Sequence, residues 1–495
     1  MKKQILVGSL LVVLAYALLL IPLPERKAAA GLSSGNQRKA FAWNQDDFWK
    51  QIETQYRAVR KKGCEGTHRQ SDSLLTLSEQ TLATIAGRPL SPDDPALRIL
   101  ERSVFEAGSL AASCPERLDR YASLVVNERT VVKQQSEHWN IRDDATREAL
   151  YRLLYGSRGA LEEVLLHLPP GTRPDALMRG VDEPSSCPQA NLLGVQLRSG
   201  DILLSRGGAA TSALIARGND FPGNFSHVAL AYVDPKTNLI SIIEAHIERG
   251  VAVSTPEQYL ADTKLRVMVL RLRHDLPQMR IDTMLPHKAA AYALALARGR
   301  HTAYDFSMDF QNSEKLFCSE VASLAYGQVG VQLWMGLSHI SSPGLRAWLE
   351  EFGVEHFETQ EPSDLEYDPQ LRVVAEWRDP EQLRKDHLDN AVTEAMLEGA
   401  EAGERLTFPW YELPVGRGAK LYSALLNLFG RIGPIPEGMT AEAALRNKHY
   451  SARHRAIENE LNRLAGEFEK EQGYLPPYWG LLQMARSARQ TVGQE

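Results

Sequence analysis

Along this chain the spacing of apolar residues changes twice, and each change marks a different kind of structure. From Phe41 to about Leu168 apolar positions recur every three or four residues, as in Phe48, Ile52, Tyr56 and Val59 and again in Leu150, Leu153 and Leu154. That period predicts amphipathic helices packed on one another. Asp93-Asp94 and Asp143-Asp144 stand where helix N-caps are expected. After about Leu192 the period shortens. Gly200-Asp201-Ile202-Leu203-Leu204 reads as a turn feeding a short strand, and Ala209 to Arg217 as a brief helix. Strands are expected at Ser226–Val233, Leu239–His246 and Arg266–Leu272, the first two joined by the turn Asp234-Pro235-Lys236-Thr237-Asn238. Helix returns over Lys288–Ala297 and Cys318–Gln328, with one more strand at Leu371–Trp377. Beyond Asp379 the helical period resumes. Leu421, Leu425 and Leu428 mark one amphipathic helix, and Ile457, Leu461, Leu464 and Phe468 a longer one ended by Gly473.

Strands gathered together with helices at their edges predict the α+β class. The expected organisation is an export signal or N-terminal membrane anchor over 1–30 and an α-helical domain over 41–168. A Pro/Ser/Gly-rich linker over 169–191 leads to the strand-bearing catalytic domain over 192–380, and an α-helical C-terminal region covers 381–495. Two loops set aromatics beside proline, Phe408-Pro409-Trp410-Tyr411 and Tyr474-Leu475-Pro476-Pro477-Tyr478-Trp479. Packing on the domain is the expectation for both, with contact at a membrane interface as the alternative.

Composition narrows the function. The 495 residues are 43% hydrophobic and 24% charged, an ordinary globular balance. A formal net charge of -6 without a dense Lys/Arg stripe offers no field for nucleic acid, so none is expected as a partner. The N-terminus says more. Lys2 and Lys3 precede an unbroken apolar run from Ile5 to Ile21, and Ala28-Ala29-Ala30 precedes Gly31. These features fit both a cleaved export signal and a retained anchor. Either way the body is exported, in a bacterium to the periplasm, released or tethered to the inner membrane. Of four cysteines, Cys64 and Cys114 share the helical region and are the preferred disulfide pair, which leaves Cys187 without an assigned partner. No pair has zinc-site spacing, and there is no phosphate-binding loop or HExxH, so no metal or cofactor is expected. Gly31-Leu32-Ser33-Ser34-Gly35 has the spacing of a nucleophile elbow but follows the export segment rather than a strand.

The candidate chemistry lies between Ser226 and Tyr326. Cys318 opens a helix, where the positive end of the dipole favours thiolate and its own N–H is free to meet an oxyanion. An isolated cysteine is ordinarily a buried, inert thiol; this placement sets Cys318 apart. His227 stands at the mouth of a strand so apolar that an imidazole there needs a reason, and it is the candidate base. Glu244 on the adjoining strand is the candidate orienting group, and His246, of the same strand parity, is a second.

These residues resemble the NlpC/p60-type branch of the papain-like superfamily, whose nucleophile lies in a run like Asp-Cys-Ser-Gly-Leu-Val and whose base lies in a strand like His-Val-Gly-Ile-Tyr. Phe317-Cys318-Ser319-Glu320-Val321 and Ser226-His227-Val228-Ala229-Leu230 are similar, and Tyr304-Asp305 falls where that family carries its upstream tyrosine. The order is reversed, with His227 and Glu244 before Cys318. This is similar to the circularly permuted YiiX/YebB-like members and, more distantly, to lecithin:retinol acyltransferase relatives. Gly200-Asp201 resembles the opening of that domain. The resemblance spans roughly Leu192 to Pro380. It implies a permuted papain-like domain with a small antiparallel sheet, Cys318 as nucleophile, His227 as base, Glu244 as the third polar residue, and Tyr304, Asp305 and His246 near the substrate. Phe317 and Glu320 depart from the ordinary branch, which puts its peptide specificity in doubt. Three readings therefore stand: a thiol hydrolase acting on cell-wall peptide, a lipid acyl hydrolase or acyltransferase at the membrane, and a non-catalytic binding module.

Overall fold

The computed structural model describes residues 47–168, 171–172, 174–310, 312–334 and 336–493, together with Tyr16, Leu19 and Leu20. The expected export segment and the polar tether after it otherwise lie outside the described residues. Among those described, no helix is long and apolar enough to cross a membrane.

The N-terminal region is helical throughout, with helices Asp47–Lys62, His68–Ala86, Pro95–Ala111, Leu118–Ser136 and Gly156–His167. Ile52, Tyr56 and Val59 point inward as their spacing predicts. Asp94 caps its helix by accepting from the Ala96 N–H at 2.9 Å, with Pro95 in the first turn. Asp143 also stands at an N-cap, but its side chain makes no capping bond. Gly108 lets the Pro95–Ala111 helix meet Tyr121, whose hydroxyl would lie 2.7 Å from a Cβ placed there. Cys64 and Cys114 form a disulfide across this bundle with their Cα atoms 4.9 Å apart. Cys187 is free and buried, its Sγ 3.7 Å from the Thr283 carbonyl.

The strands are β1 (Leu177–Arg179), β2 (Gln189–Leu192), β3 (Val195–Arg198), β4 (Ile202–Gly207), β5 (His227–Val233), β6 (Ile240–His246), β7 (Gly250–Ser254), β8 (Lys264–Leu272), β9 (Ser338–His339), β10 (Glu358–Thr359) and β11 (Leu371–Trp377). Seven of them form one sheet in the order β1-β11-β8-β4-β5-β6-β7. Every pairing in it is antiparallel. The pleat sorts its residues cleanly. Ile202, Leu204, Val228, Leu230, Ile243 and Ala245 pack with the Leu285–Arg298 and Cys318–Gln328 helices. Leu203, Ala229, Ala231 and Ile242 face the other way, onto Tyr259 and the β2–β3 hairpin. Gly200, at φ +100, makes the turn into β4 and lies so close to Pro286 that a Cβ would come within 2.3 Å of it.

The stretch expected as a linker contributes one short strand to this sheet. Leu177–Arg179 pairs with β11 as an edge strand, because the three-residue β1 takes its order from its partner rather than from its own sequence. The flanking helices are likewise continuous with the domain, since one core cluster runs from Ile52 through the sheet to Tyr474.

A buried ionic seam fixes that junction. Arg206 on β4 lies opposite Arg266 on β8, an arrangement that needs counter-charge. The Pro380–Glu401 helix supplies Asp386, 3.1 Å from Arg206 and 2.5 Å from Arg266, and the Gly156–His167 helix supplies Glu162, 2.5 Å from Arg266. Arg158 adds a bidentate pair to Glu366 at 2.8 Å on both arms. Such a seam stabilises little relative to an apolar core, but removing one partner strands a buried charge. Asp386→Ala is therefore expected to destabilise the protein by about 3–5 kcal/mol, read as a lowered urea midpoint.

Candidate active site

Sheet register builds the site. Ala229 on β5 pairs with Glu244 on β6, so the strand period places His227, two residues before Ala229, on the face that carries Glu244. The Cys318 helix packs on the opposite face, through Val321, Ala322 and Ala325 against the Val228 and Leu230 side. His227 bridges the two because it is the first residue of its strand. Its Nε2 lies 2.7 Å from Glu244 Oε2, which leaves Nδ1 for the thiol. Cys318 begins its helix directly after Phe317, outside the helix's own hydrogen-bond ladder. Its Sγ lies 3.9 Å from the Ser226 carbonyl.

The electrostatics follow from that geometry. Burial alone would lower the His227 pKa, but hydrogen bonds with Cys318 and Glu244 and their charges outweigh it and lift it to about 9. Burial alone would raise Cys318, yet the His227 hydrogen bond and charge, the Val228 N–H and the Ser319 hydroxyl hold it below an ordinary thiol. Burial would raise Glu244 too. Hydrogen bonds and charge from His227 and His246 reverse that and keep it ionised. Together these favour a thiolate–imidazolium pair backed by a carboxylate. His227, raised on folding, contributes stability that is complete below about 6.5 and is lost as pH rises through about 9.

His246 approaches Glu244 Oε1 at 3.0 Å. The 2.7 Å bond to the other oxygen makes Glu244 the direct partner of His227, with His246 a second contact on the same carboxylate. Tyr304 is held beside the nucleophile by a bridge to Leu316, two residues before Cys318, with its ring 5.0 Å from Phe306. Asp305 organises the segment that follows Tyr304. Its carboxylate accepts from the Ser307 N–H at 3.0 Å, the Ser307 hydroxyl at 2.6 Å and the Asp309 N–H at 2.7 Å, so it shapes the loop. Asp201 is structural as well, pairing Arg271 through two 2.8 Å hydrogen bonds.

Two further carboxyls lie near the sulfur: Glu320, marked in the sequence only as a departure from the family's run, and Glu361, which carries no signal of its own. Glu320, pushed up to about 9 by burial, accepts from the Phe317 N–H at 2.9 Å and so braces the start of the Cys318 helix. Glu361 is buried, also raised by burial, and feels the charge of Cys318. Neither motif spacing nor periodicity singles out a glutamate whose role depends on a loop brought in from elsewhere.

A cleft between Tyr56, Phe105, His167 and Tyr474 lies away from Cys318. It holds no thiol, and chemistry rather than depth decides where the reaction sits. Among the described residues two groupings have metal-ligand types. In the first, the sulfurs of Cys64 and Cys114 are joined to each other beside His68. In the second, Asp389 and Glu458 are paired with Lys385 at 3.1 and 3.2 Å, beside His454. Neither has a free ligand set.

A thiol at a helix start, an imidazole at a strand mouth and a carboxylate on the next strand define the papain-like class, here with base before nucleophile. Residues 196–375 match the model of a family described as permuted papain-like amidase enzyme, YaeF/YiiX, C92 family. The match takes in the sheet from β3 to β11 and supports a permuted papain-like, cysteine amidase fold for that part of the chain. No curated protein and no solved structure matches the chain.

Glu244→Gln removes the charge that raises His227. The alkaline limb of Cys318 alkylation is expected to move down from about 9, with the rate at neutral pH falling by roughly tenfold or more. His246→Gln should move that limb less, and an equal shift in both variants contradicts the assignment.

Proposed function

We propose that this protein is an exported cysteine hydrolase that opens an amide bond, with cell-wall peptide as substrate. The observation that carries the reading is Cys318 at a helix start within reach of an imidazole that Glu244 orients. The thiolate attacks the carbonyl carbon, and the developing oxyanion meets the Cys318 N–H. As the C–N bond breaks, His227 gives its proton to the leaving amine, and Cys318 keeps the acyl group as a thioester. Water then attacks the thioester with His227 taking its proton, and the freed thiolate recovers its imidazolium partner.

Export is supported by the charged-then-apolar N-terminus and by Ala28-Ala29-Ala30. The Cys64–Cys114 disulfide supports an oxidising space, in a bacterium the periplasm. A protein there, released or held at the inner membrane, meets cell-wall peptide, and an amidase fold suits its bonds. One observation favours a second reading, an acyl ester or amide drawn from lipid: a large apolar face lies exposed on the element that packs beside Tyr304. The acyl-enzyme chemistry is common to both.

Incubation with purified muropeptides is expected to release free amine, and Cys318→Ala should lower kcat/KM by about a thousandfold or more. Release of fatty acid from phospholipid vesicles without amine release from muropeptides would replace the first substrate by the second. Full activity in Cys318→Ala would overturn both.

A further inference from the structure

The helix Leu413–Leu428 is built inside out. Its small residues face the protein. Gly416 meets Leu445, whose Cδ1 would lie 3.0 Å from an added Cβ, and Ser423 is buried against Gly433. The large apolar residues face solvent: Val415, Leu421, Tyr422, Leu425 and Leu428, the last 81% exposed. At 100° per residue these positions share one stripe about 140° wide. Trp410 and Tyr411 extend it on one end, Phe429 and Ile432 on the other. Leu421, Leu425 and Leu428 thus do mark an amphipathic helix, but with its apolar side outward. The first of the two aromatic loops, expected to pack on the domain, is open at Trp410 and Tyr411, whereas Tyr474 and Tyr478 of the second are buried.

We propose that this face docks the protein on a lipid bilayer. An outward stripe of this size suits either lipid or a second protein surface, and three observations favour lipid. Residues 413–436 contain Arg417, Lys420 and Arg431 and no Asp or Glu. Arg417 pairs with Glu442 at 2.7 Å, while Lys420 is held by the Pro436 and Glu437 carbonyls and Arg431 is exposed. The bordering acids are paired, Glu412 with Lys448 at 2.9 Å and Glu437 with His301 at 2.8 Å, which leaves Lys420 and Arg431 as a small positive excess complementary to anionic headgroups. Trp and Tyr lie at its edge, the residues that bilayer interfaces favour. Tyr16 and Leu19, which belong to the uncharged stretch Ile5–Ile21 of the sequence, meet the same region, with the Tyr16 hydroxyl donating to the Tyr411 carbonyl at 3.0 Å and Arg417 donating to the Leu19 carbonyl at 2.7 Å.

Docking there fixes the catalytic rim near the membrane. Ile435, Met439 and Ala443 cluster with Ala419 of this helix on Phe306, the ring that meets Tyr304. No step of the proposed chemistry is needed for the docking itself.

The test uses the full chain with vesicles of phosphatidylethanolamine and phosphatidylglycerol, the latter carrying a diazirine in an acyl chain. After illumination, mass spectrometry locates crosslinked residues. Crosslinks are expected at residues 410–432, and in Leu421→Glu/Leu425→Glu/Leu428→Glu they should fall by at least about tenfold while those at the N-terminal run persist. Leu428→Glu alone should show a partial loss, and unchanged Cys318 alkylation in each variant reports an intact fold. Ile281, 89% exposed and outside the stripe, is the negative control. Crosslinks confined to the N-terminal run, or equal to those in the triple variant, overturn the proposal. So does a face left unlabelled in a chain that runs as a dimer by light scattering, which assigns it to a second copy.

Discussion

A slip of one residue between β5 and β6 would turn Glu244 away from His227 and leave a buried carboxylate facing an apolar layer. The register is held from both sides. Val228, Leu230, Ile243 and Ala245 must meet the helices, and Ala229, Ala231 and Ile242 must meet the hairpin layer. The catalytic geometry is thus a by-product of satisfying two apolar faces at once. His227 escapes the alternation only because it ends the strand, and that position lets one ring serve a thiol on one side of the sheet and a carboxylate on the other.

The flanking helices take part in the same constraint. Glu162 from before the sheet and Asp386 from after it hold Arg206 and Arg266 in place on adjacent strands. The central strands therefore cannot neutralise their own charge without both flanks. That makes the helical regions integral to the domain rather than modules attached to it. It also places the outward-facing Leu413–Leu428 helix on a rigid support, with its small residues against the long Ala441–Gln472 helix.

Much of this was legible in the sequence, for identifiable reasons. The strand ending at Val233, the strand Leu371–Trp377 and the helix from Cys318 to Gln328 lie where expected, because each has a strong period and a clear boundary residue. Gly473, in the left-handed region at φ +72, ends the long helix as its position suggested. The short strands β1, β2, β3, β9 and β10 were not legible, since two to four residues carry no period and their order comes from a partner. Nothing in the sequence marks Arg206 and Arg266 as a buried pair, because their partners lie on other elements far along the chain. Cys318 stood out because it opens a helix, and His227 and Glu244 because each lies on an apolar strand, whereas Glu361 sits in a polar loop that looks like any other. The Leu413–Leu428 helix shows the limit of periodicity: it reports that a helix has two faces and not which of them meets solvent.

The central claim is that the Cys318 thiol is held below its ordinary range by His227, which Glu244 keeps protonated beside it. The most direct measurement is the ultraviolet thiolate absorbance that the full chain loses on Cys318→Ser, followed from acid to alkaline pH. The account predicts that this absorbance is already present well below the reference thiol pKa of about 8.5 and that His227→Ala removes it at neutral pH. A difference signal that rises only near or above that reference value, and is the same with or without His227, would contradict the account.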